Sequence, residues 1–245
     1  MNLGNDLINL LRDRHQKSRV FWRISVWLFT FSLFSSTTIA SPFFEFHLGN
    51  AYTQPADVSI HQSGQPTINF NTRFETDGWT MPVYYSIRGG WQGERCHFDL
   101  EMIHHKLYGQ DLPSEVAHFE ITHGLDFFFL NRTCPFQLSE ESPFALLNNT
   151  HLRLGAGMAL ANPFTIVRGQ RWHEQGGITA PILNEGGYHA TGPFLQAGIQ
   201  KIWPFGFSIE TKWVVGWIDV PVVDGNAEFF HQSLHFLFGW RAGKR

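Results

Sequence analysis

The chain has 245 residues and a formal net charge of −3, with 16% charged residues and 16% aromatic ones, 24 of them Phe. Residues 1–40 hold five Lys/Arg against two Asp, so the rest carries about −6, which excludes the net basic surface a nucleic-acid partner requires. The length allows one large domain or two small ones.

The first long apolar stretch is "ISVWLFTFSLF", Ile24 to Phe34, behind a basic segment with Arg12, Arg14, Lys17, Arg19 and Arg23. It is too short for a membrane-spanning helix, which needs about 20 residues. "SSTTIA" follows, with Thr38 and Ala40 at the −3 and −1 positions of a cleavage site. Residues 1–40 therefore read as a secretory signal peptide, with the remaining domain at 41–245.

Beyond residue 41 the sequence predicts eight alternating segments, at about 43–53, 82–92, 96–107, 117–132, 150–162, 189–202, 206–219 and 229–241. Their even number, and lengths of about ten residues or more, predict an all-β fold: an eight-stranded antiparallel transmembrane β-barrel of the outer-membrane type. The alternation is visible in Phe207, Ile209, Trp213, Val215 and Trp217 against Ser208, Glu210, Lys212 and Gly216. A soluble ligand-binding barrel would put the apolar set inside. Aromatic girdles favour the membrane form: Trp91, Trp203, Phe205 and Trp240 at one set of strand ends, and Tyr52, Tyr84, Tyr85, Tyr108 and Trp217 near the other. The ending "HFLFGW" resembles the assembly signal of outer-membrane barrels, followed here by "RAGKR". Outer-membrane lipid and lipopolysaccharide, a barrel-assembly machinery during biogenesis and a monomeric state are the expectations that follow.

With the first strand rising from the periplasm, loops near 54–81 and 163–188 are external, and turns near 93–95 and 203–205 are periplasmic. The segment 133–149 is long for a periplasmic turn. Cys96 and Cys134 fall on hairpin neighbours at the periplasmic rim, where a disulfide closing about 38 residues would stabilise by roughly 3–4 kcal/mol in the chain-entropy model.

Apolar-out alternation turns inward Glu45, His47, Ser86, Arg88, Asp99, Glu101, Glu120, Thr122, Asp126, Arg153, Gln196, Gln200, Glu210, Lys212, Ser233 and His235. Eight strands leave room only for side chains, so Arg88, Arg153 and Lys212 should pair with carboxylates. One residue breaks the pattern. In "HFEITHGLDFFFLN" the series Phe119, Ile121, His123, Leu125, Phe127, Phe129 sets a histidine among apolar residues on a lipid-facing row. Gly124 permits a bulge that would re-aim His123 toward Glu120 or Asp126.

No phosphate loop, nucleophile elbow or zinc pattern is present. Chemistry must come from histidines near the external strand ends: His104, His105, His118, His123, His189 and His231. The catalytic candidates are His105, His118, Glu120, His123 and His189. His105, His118 and Glu120, on neighbouring strands, also form a candidate set for a divalent transition metal such as Fe or Cu. Lys106, Arg168 and Arg171 lie at or beyond the external rim, where cations would meet glycolipid phosphates.

Several stretches, "EFHLGNAYTQPADVSIHQ", "MPVYYSIRGGW", "DLEMIHHKLYG", "FEITHGLDFFFLN", "LRLGAGMALANP" and "YHATGPFLQAGI", together resemble a family of small outer-membrane barrels that includes lipid A oxidase. The resemblance covers about residues 44–200. It implies oxidation of the proximal glucosamine of lipid A to 2-aminogluconate by dioxygen. The matching motifs imply roles for His105 and Lys106 in "HHKLYG", for His123 in "THGLD", and for Tyr188, Thr191 and Gly192 in "YHATGP", where Ala190 departs from the apolar residue expected. The alternatives are a non-catalytic structural or adhesion barrel and a narrow channel.

Overall fold

A computed structural model describes residues 41–136, 150–173, 178–180 and 185–243; the side chains of His123, of 178–180 and of 185–186 lie outside this description. Residues 1–40, the expected signal peptide, and residues 137–149 of the segment expected to form a long periplasmic turn also lie outside it.

Eight long antiparallel strands make the wall: β1 (Ser41–Thr53), β5 (Tyr85–Gln92), β6 (His97–Gly109), β7 (Val116–Phe136), β8 (Thr150–Val167), β11 (Glu185–Ile202), β12 (Phe207–Val222) and β13 (Gly225–Gly243). They pair in that order, and β1 closes the ring against β13 from Phe43↔Gly243 to Thr53↔Ser233. These are the eight segments read from the alternation. Short strands extend the external rim. β2 (Ala56–Gln62) and β3 (Ile68–Thr72) form a hairpin on β13, β4 (Phe74–Glu75) pairs with β6, β9 (Gln170–Trp172) with β8, and β10 (Ile178–Ala180) with β11.

The lower interior holds a charge network. Arg88 donates from Nη1 and Nη2 to both Glu210 carboxylate oxygens at 2.6 and 2.8 Å, and reaches Glu101 at 2.7 Å and Glu45 at 3.0 Å. Lys212 Nζ donates to Glu101 at 2.5 Å, Arg153 pairs with Asp99, and Arg241 Nε donates to Glu45 at 2.5 Å. Four cations thus face four carboxylates. Asn131 donates to Asp99 Oδ1, Gln196 to Glu101 Oε2 and Gln200 to Glu45 Oε2. Burial without these partners would cost several kcal/mol per ion.

Above this network the interior changes character. Val58, Ile60, Phe74, Leu107, Phe119, Ile121, Phe127, Ile218 and Phe229 are buried together inside the external half. The expected lipid-facing row on β7 is therefore corrected: Phe119, Ile121, Leu125, Phe127 and Phe129 are buried within the apolar interior, and the alternating positions Glu120 and Asp126 lie on the outer face. Tyr84, expected in the outer girdle, is likewise buried, its Oη 2.5 Å from His235 Nδ1.

The exterior between the rims is apolar, with Phe44, Phe46, Leu100, Leu130, Leu154, Leu195, Ile209, Trp213 and Phe236 exposed. Trp203, Phe205, Phe207 and Trp240 form a contiguous aromatic group at the periplasmic end. Cys96 and Cys134 are joined at that rim, with S–S 2.11 Å and Cα–Cα 4.3 Å.

Two results are expected. Arg88→Leu removes the cation shared by three buried glutamates and should cost about 3–5 kcal/mol in urea unfolding of the folded barrel. Non-reducing peptide mapping should recover a linked Cys96–Cys134 peptide, and reduction should cost roughly 3–4 kcal/mol for this loop.

Candidate functional site

One set of polar groups lies on the outside of the wall. On β6 the residues at 97, 99, 101, 103, 105 and 107 turn inward, so His104 and Lys106 face outward. On β7 Asp126 faces outward directly opposite His104 in the ladder. His104 Nδ1 lies 2.8 Å from Asp126 Oδ1. Tyr85, opposite His104 on β5, stacks on the imidazole with ring centroids 5.3 Å apart. His104 Nε2 is buried and has no hydrogen-bond partner among the described residues. A carboxylate at Nδ1 favours the tautomer that leaves Nε2 as an acceptor, the arrangement of a general base. Tautomers are inferred from the bonding pattern.

Backbone irregularities on both sides shape this place. Between Ile121 and Leu125, β7 has three intervening residues where β6 and β8 each have one, so Thr122, His123 and Gly124 form a bulge with two extra residues. The addition of an even number keeps Ile121 and Leu125 on the same face. Gly124 takes φ +138, and a Cβ there would meet the Asp126 carboxylate at 2.8 Å. On the other side, Phe74–Glu75 and Tyr85 pair with the same strand β6, but nine residues separate Glu75 from Tyr85 against three between Tyr108 and His104. The extra length within Thr76–Tyr84 forms a flap across the outside of β1, while the Tyr84 ring turns inward: Trp79 stacks on Phe238, and Thr80 O accepts a 2.9 Å bond from Lys106 Nζ.

The sequence candidates separate. His105 faces the interior, buried beside His231 and His235 with ring centroids 5.7 and 5.3 Å away. His118 Nε2 and Glu120 Oε2 meet at 2.9 Å on the outer face, and Glu120 lies opposite Tyr108 in the β6–β7 ladder. The expected approach of His105 to His118 and Glu120 is thus corrected: the barrel wall separates them, and the three do not fit one metal. Among the described residues no group of three or more His, Cys, Asp or Glu has the geometry to hold a metal ion. Only the backbone of His123 is placed, inside the bulge.

Lys106 is buried beneath the flap, and its ammonium lies 5.8 Å from the Tyr108 ring centroid. Arg168 donates to Gln62 Oε1 and Pro66 O, both at 2.7 Å, and so braces the external hairpin. Arg171 lies over the Phe164 ring at 4.9 Å. Thr191 donates to Trp217 O and accepts from Asp219 N, tying β11 to β12; Tyr188 is buried, and His189 is half-buried near Trp172. Lys106 shares the strand and outer face of His104; the others are spread around the rim. His104, Asp126 and Tyr85 were missed as a set. The available signal was parity: in "MIHHKLYG" His104 and Lys106 share the face opposite Glu101.

A closed barrel with a charged interior and an apolar outer belt is a transmembrane β-barrel of the outer-membrane type, which places it in the bacterial outer membrane. No protein-family model matches the sequence, and no characterised protein matches it significantly. Among solved structures it is similar to Neisserial surface protein A (11% identity, TM-score 0.34, covering 79% of this chain and 95% of that one). It is similar also to Ail, the attachment invasion locus protein of Yersinia pestis (9%, 0.36, 83% and 97%). The same protein in complex with the heparin analogue sucrose octasulfate gives 10%, 0.31, 83% and 97%.

Gly124→Ala should destabilise the barrel by roughly 1–3 kcal/mol through the positive φ. It should also displace Asp126, read as a shift of the His104 imidazole resonances in NMR of the folded barrel.

Proposed function

We propose that the protein is an outer-membrane enzyme that modifies the glycolipid of the outer leaflet, with His104 as its base. The observation that carries this reading is the outward His104–Asp126 pair with Nε2 unpartnered among the described residues, on the same strand face as Lys106. A base built on the lipid-facing wall is reached by a substrate that travels in the membrane. Its height agrees. His104 lies eight residues beyond Cys96, which at about 3.3 Å per residue and ~40° tilt is roughly 20 Å above the periplasmic rim, in the outer part of an apolar band of about 25 Å.

For the lipid A oxidation that the sequence resemblance implies, His104 Nε2 accepts the proton of the anomeric hydroxyl of the proximal glucosamine. Asp126 stabilises the imidazolium, and Lys106, released from Thr80, pairs with developing negative charge or a neighbouring phosphate. C1 loses two electrons and becomes a lactone carbonyl, which water opens to the acid. Dioxygen takes the electrons, with two protons, and leaves as hydrogen peroxide. His105, His118 and Glu120 do not meet, so no step here uses a metal held by them.

The test is the lipid A mass spectrum of a deletion strain complemented with parent, His104→Asn or Lys106→Met. The parent should yield lipid A one oxygen heavier. Loss of the base should lower the oxidised fraction by about 10²–10⁴-fold in rate, with the barrel still folded by its heat-dependent gel mobility. An unchanged spectrum in a strain that displays the parent protein leaves the structural or adhesion barrel as the reading.

A further inference from the structure

The external end of the wall carries a second outward group of side chains, above the level of His104. Residues directly opposite each other in a ladder share a face. His118 and Glu120 face outward, so their partners do as well. Phe164 lies opposite Glu120 and Ile166 opposite His118 on β8, and Arg171 lies opposite Ile166 on β9. The Phe164 ring is the centre of this patch. The Arg171 guanidinium lies over it at 4.9 Å, and the imidazoles of His118 and His173 lie 4.5 and 5.1 Å from its centroid.

Arg171 is exposed, and among the described residues no carboxylate pairs with it and no acceptor hydrogen-bonds to it. The ring contact restrains the side chain, and the rigid fork of N–H donors stays open to a bidentate acceptor. The carboxylate opposite the ring is already engaged: Glu120 Oε2 lies 2.9 Å from His118 Nε2, and Glu120 Oε1 accepts from Thr122 Oγ1 at 3.0 Å. The patch thus presents a guanidinium of the shape that matches the paired oxygens of a phosphate. Its height says which phosphates reach it. Glu120 lies opposite Tyr108, twelve residues beyond Cys96. At about 3.3 Å per residue and ~40° tilt the patch is roughly 30 Å above the periplasmic rim, just outside the apolar band of about 25 Å. That is the depth of lipid headgroups.

We propose that Arg171, set on Phe164, anchors a phosphate group of an outer-leaflet glycolipid. The proposal rests on the glycolipid reading above and adds to it a residue that selects phosphorylated substrate. Tyr108 is four residues above His104 on β6, and the ladder runs from Tyr108 through Glu120 to Phe164, two strands across. With a rise of about 3.3 Å and a strand spacing of about 4.8 Å, Phe164 is roughly 16 Å from His104. Two linked sugar rings with a terminal phosphate cover that distance, given the reach of the imidazole at one end and the guanidinium at the other. A phosphate held on one sugar leaves the second sugar at the depth of the imidazole, with the acyl chains along the apolar wall below. Arg171 is then a positioning residue, distant from the reacting carbon.

The full barrel in detergent micelles is titrated with phosphorylated lipid A and with the same lipid after phosphatase treatment, and bound lipid is read by native mass spectrometry. The parent should bind the phosphorylated form about fivefold more tightly, the upper value of an exposed ion pair. Arg171→Gln should remove that preference and leave binding of the dephosphorylated form unchanged. Phe164→Leu, which frees the guanidinium from the ring, should reduce the preference. His104→Asn should keep it, because the dyad is not part of the patch. Equal binding of the two lipids by the parent, or an undiminished preference in Arg171→Gln, overturns the proposal. Inorganic phosphate that displaces the lipid at equal concentration overturns the lipid assignment and makes this a free-anion site. A parental preference in a protein whose cells contain unoxidised lipid A leaves the anchor standing and defeats the catalytic reading.

Discussion

The fold depends on Arg88. Its guanidinium bonds three glutamates from three different strands, Glu45 on β1, Glu101 on β6 and Glu210 on β12. A charge buried without partners is prohibitively expensive, so the register of each of these strands is constrained at one level of the barrel. A one-residue slip of any of them would turn its carboxylate outward into lipid and leave Arg88 short of a partner. Arg153, Lys212 and Arg241 complete the neutralisation. With the polar side chains committed to the interior at this level, the alternate residues face out, and the only solvent that suits Leu100, Leu130, Leu154 and Phe236 is hydrocarbon.

That constraint loosens toward the outside. The external half of the interior is closed by apolar side chains around Phe119, Phe127 and Phe229, so it does not require inward polar residues. The outer wall there is free to carry them, and His104, Lys106, Glu120 and Asp126 occupy it. The consequence is functional. A site inside the barrel would be served through a water-filled lumen, whereas a site on the wall is served by lateral diffusion in the bilayer. The bulge at Thr122–Gly124 and the flap at Thr76–Tyr84 flank this place because a regular ladder has no room for a recessed imidazole beside a covered ammonium.

Much of this was legible in the sequence and the part that was not has a single cause. Eight strands and the inward charges from Glu45 to Lys212 follow from alternation, because around Arg88 the rule of apolar outside and polar inside is enforced energetically. The same rule, carried up β7, put Phe127 in lipid and Asp126 inside, and both face the other way. Parity has no sign of its own: it says which residues share a face, and the charge network that supplies the sign does not extend that far. The placement of His105 with His118 failed for the same reason, since adjacent strands were correct and faces were not. The Gly124 bulge could be anticipated from its glycine, but its two-residue size preserves parity and so left no trace in the pattern. The flap depends on how β4 and β5 share β6, which local sequence does not encode.

The measurement that bears most directly on a polar site set into a lipid-facing wall is the accessibility of nitroxide labels in reconstituted bilayers. Single labels at Leu100, Leu130 and Met102 should be relaxed strongly by dissolved oxygen and weakly by a water-soluble nickel chelate, with depth decreasing toward the external rim. Labels replacing Tyr108 and Glu120 should show the reverse preference, setting the interface just above His104. Equal access of the nickel chelate to Leu100 and Leu130 would contradict a membrane-embedded wall, and with it the proposed delivery of substrate to His104 from the bilayer.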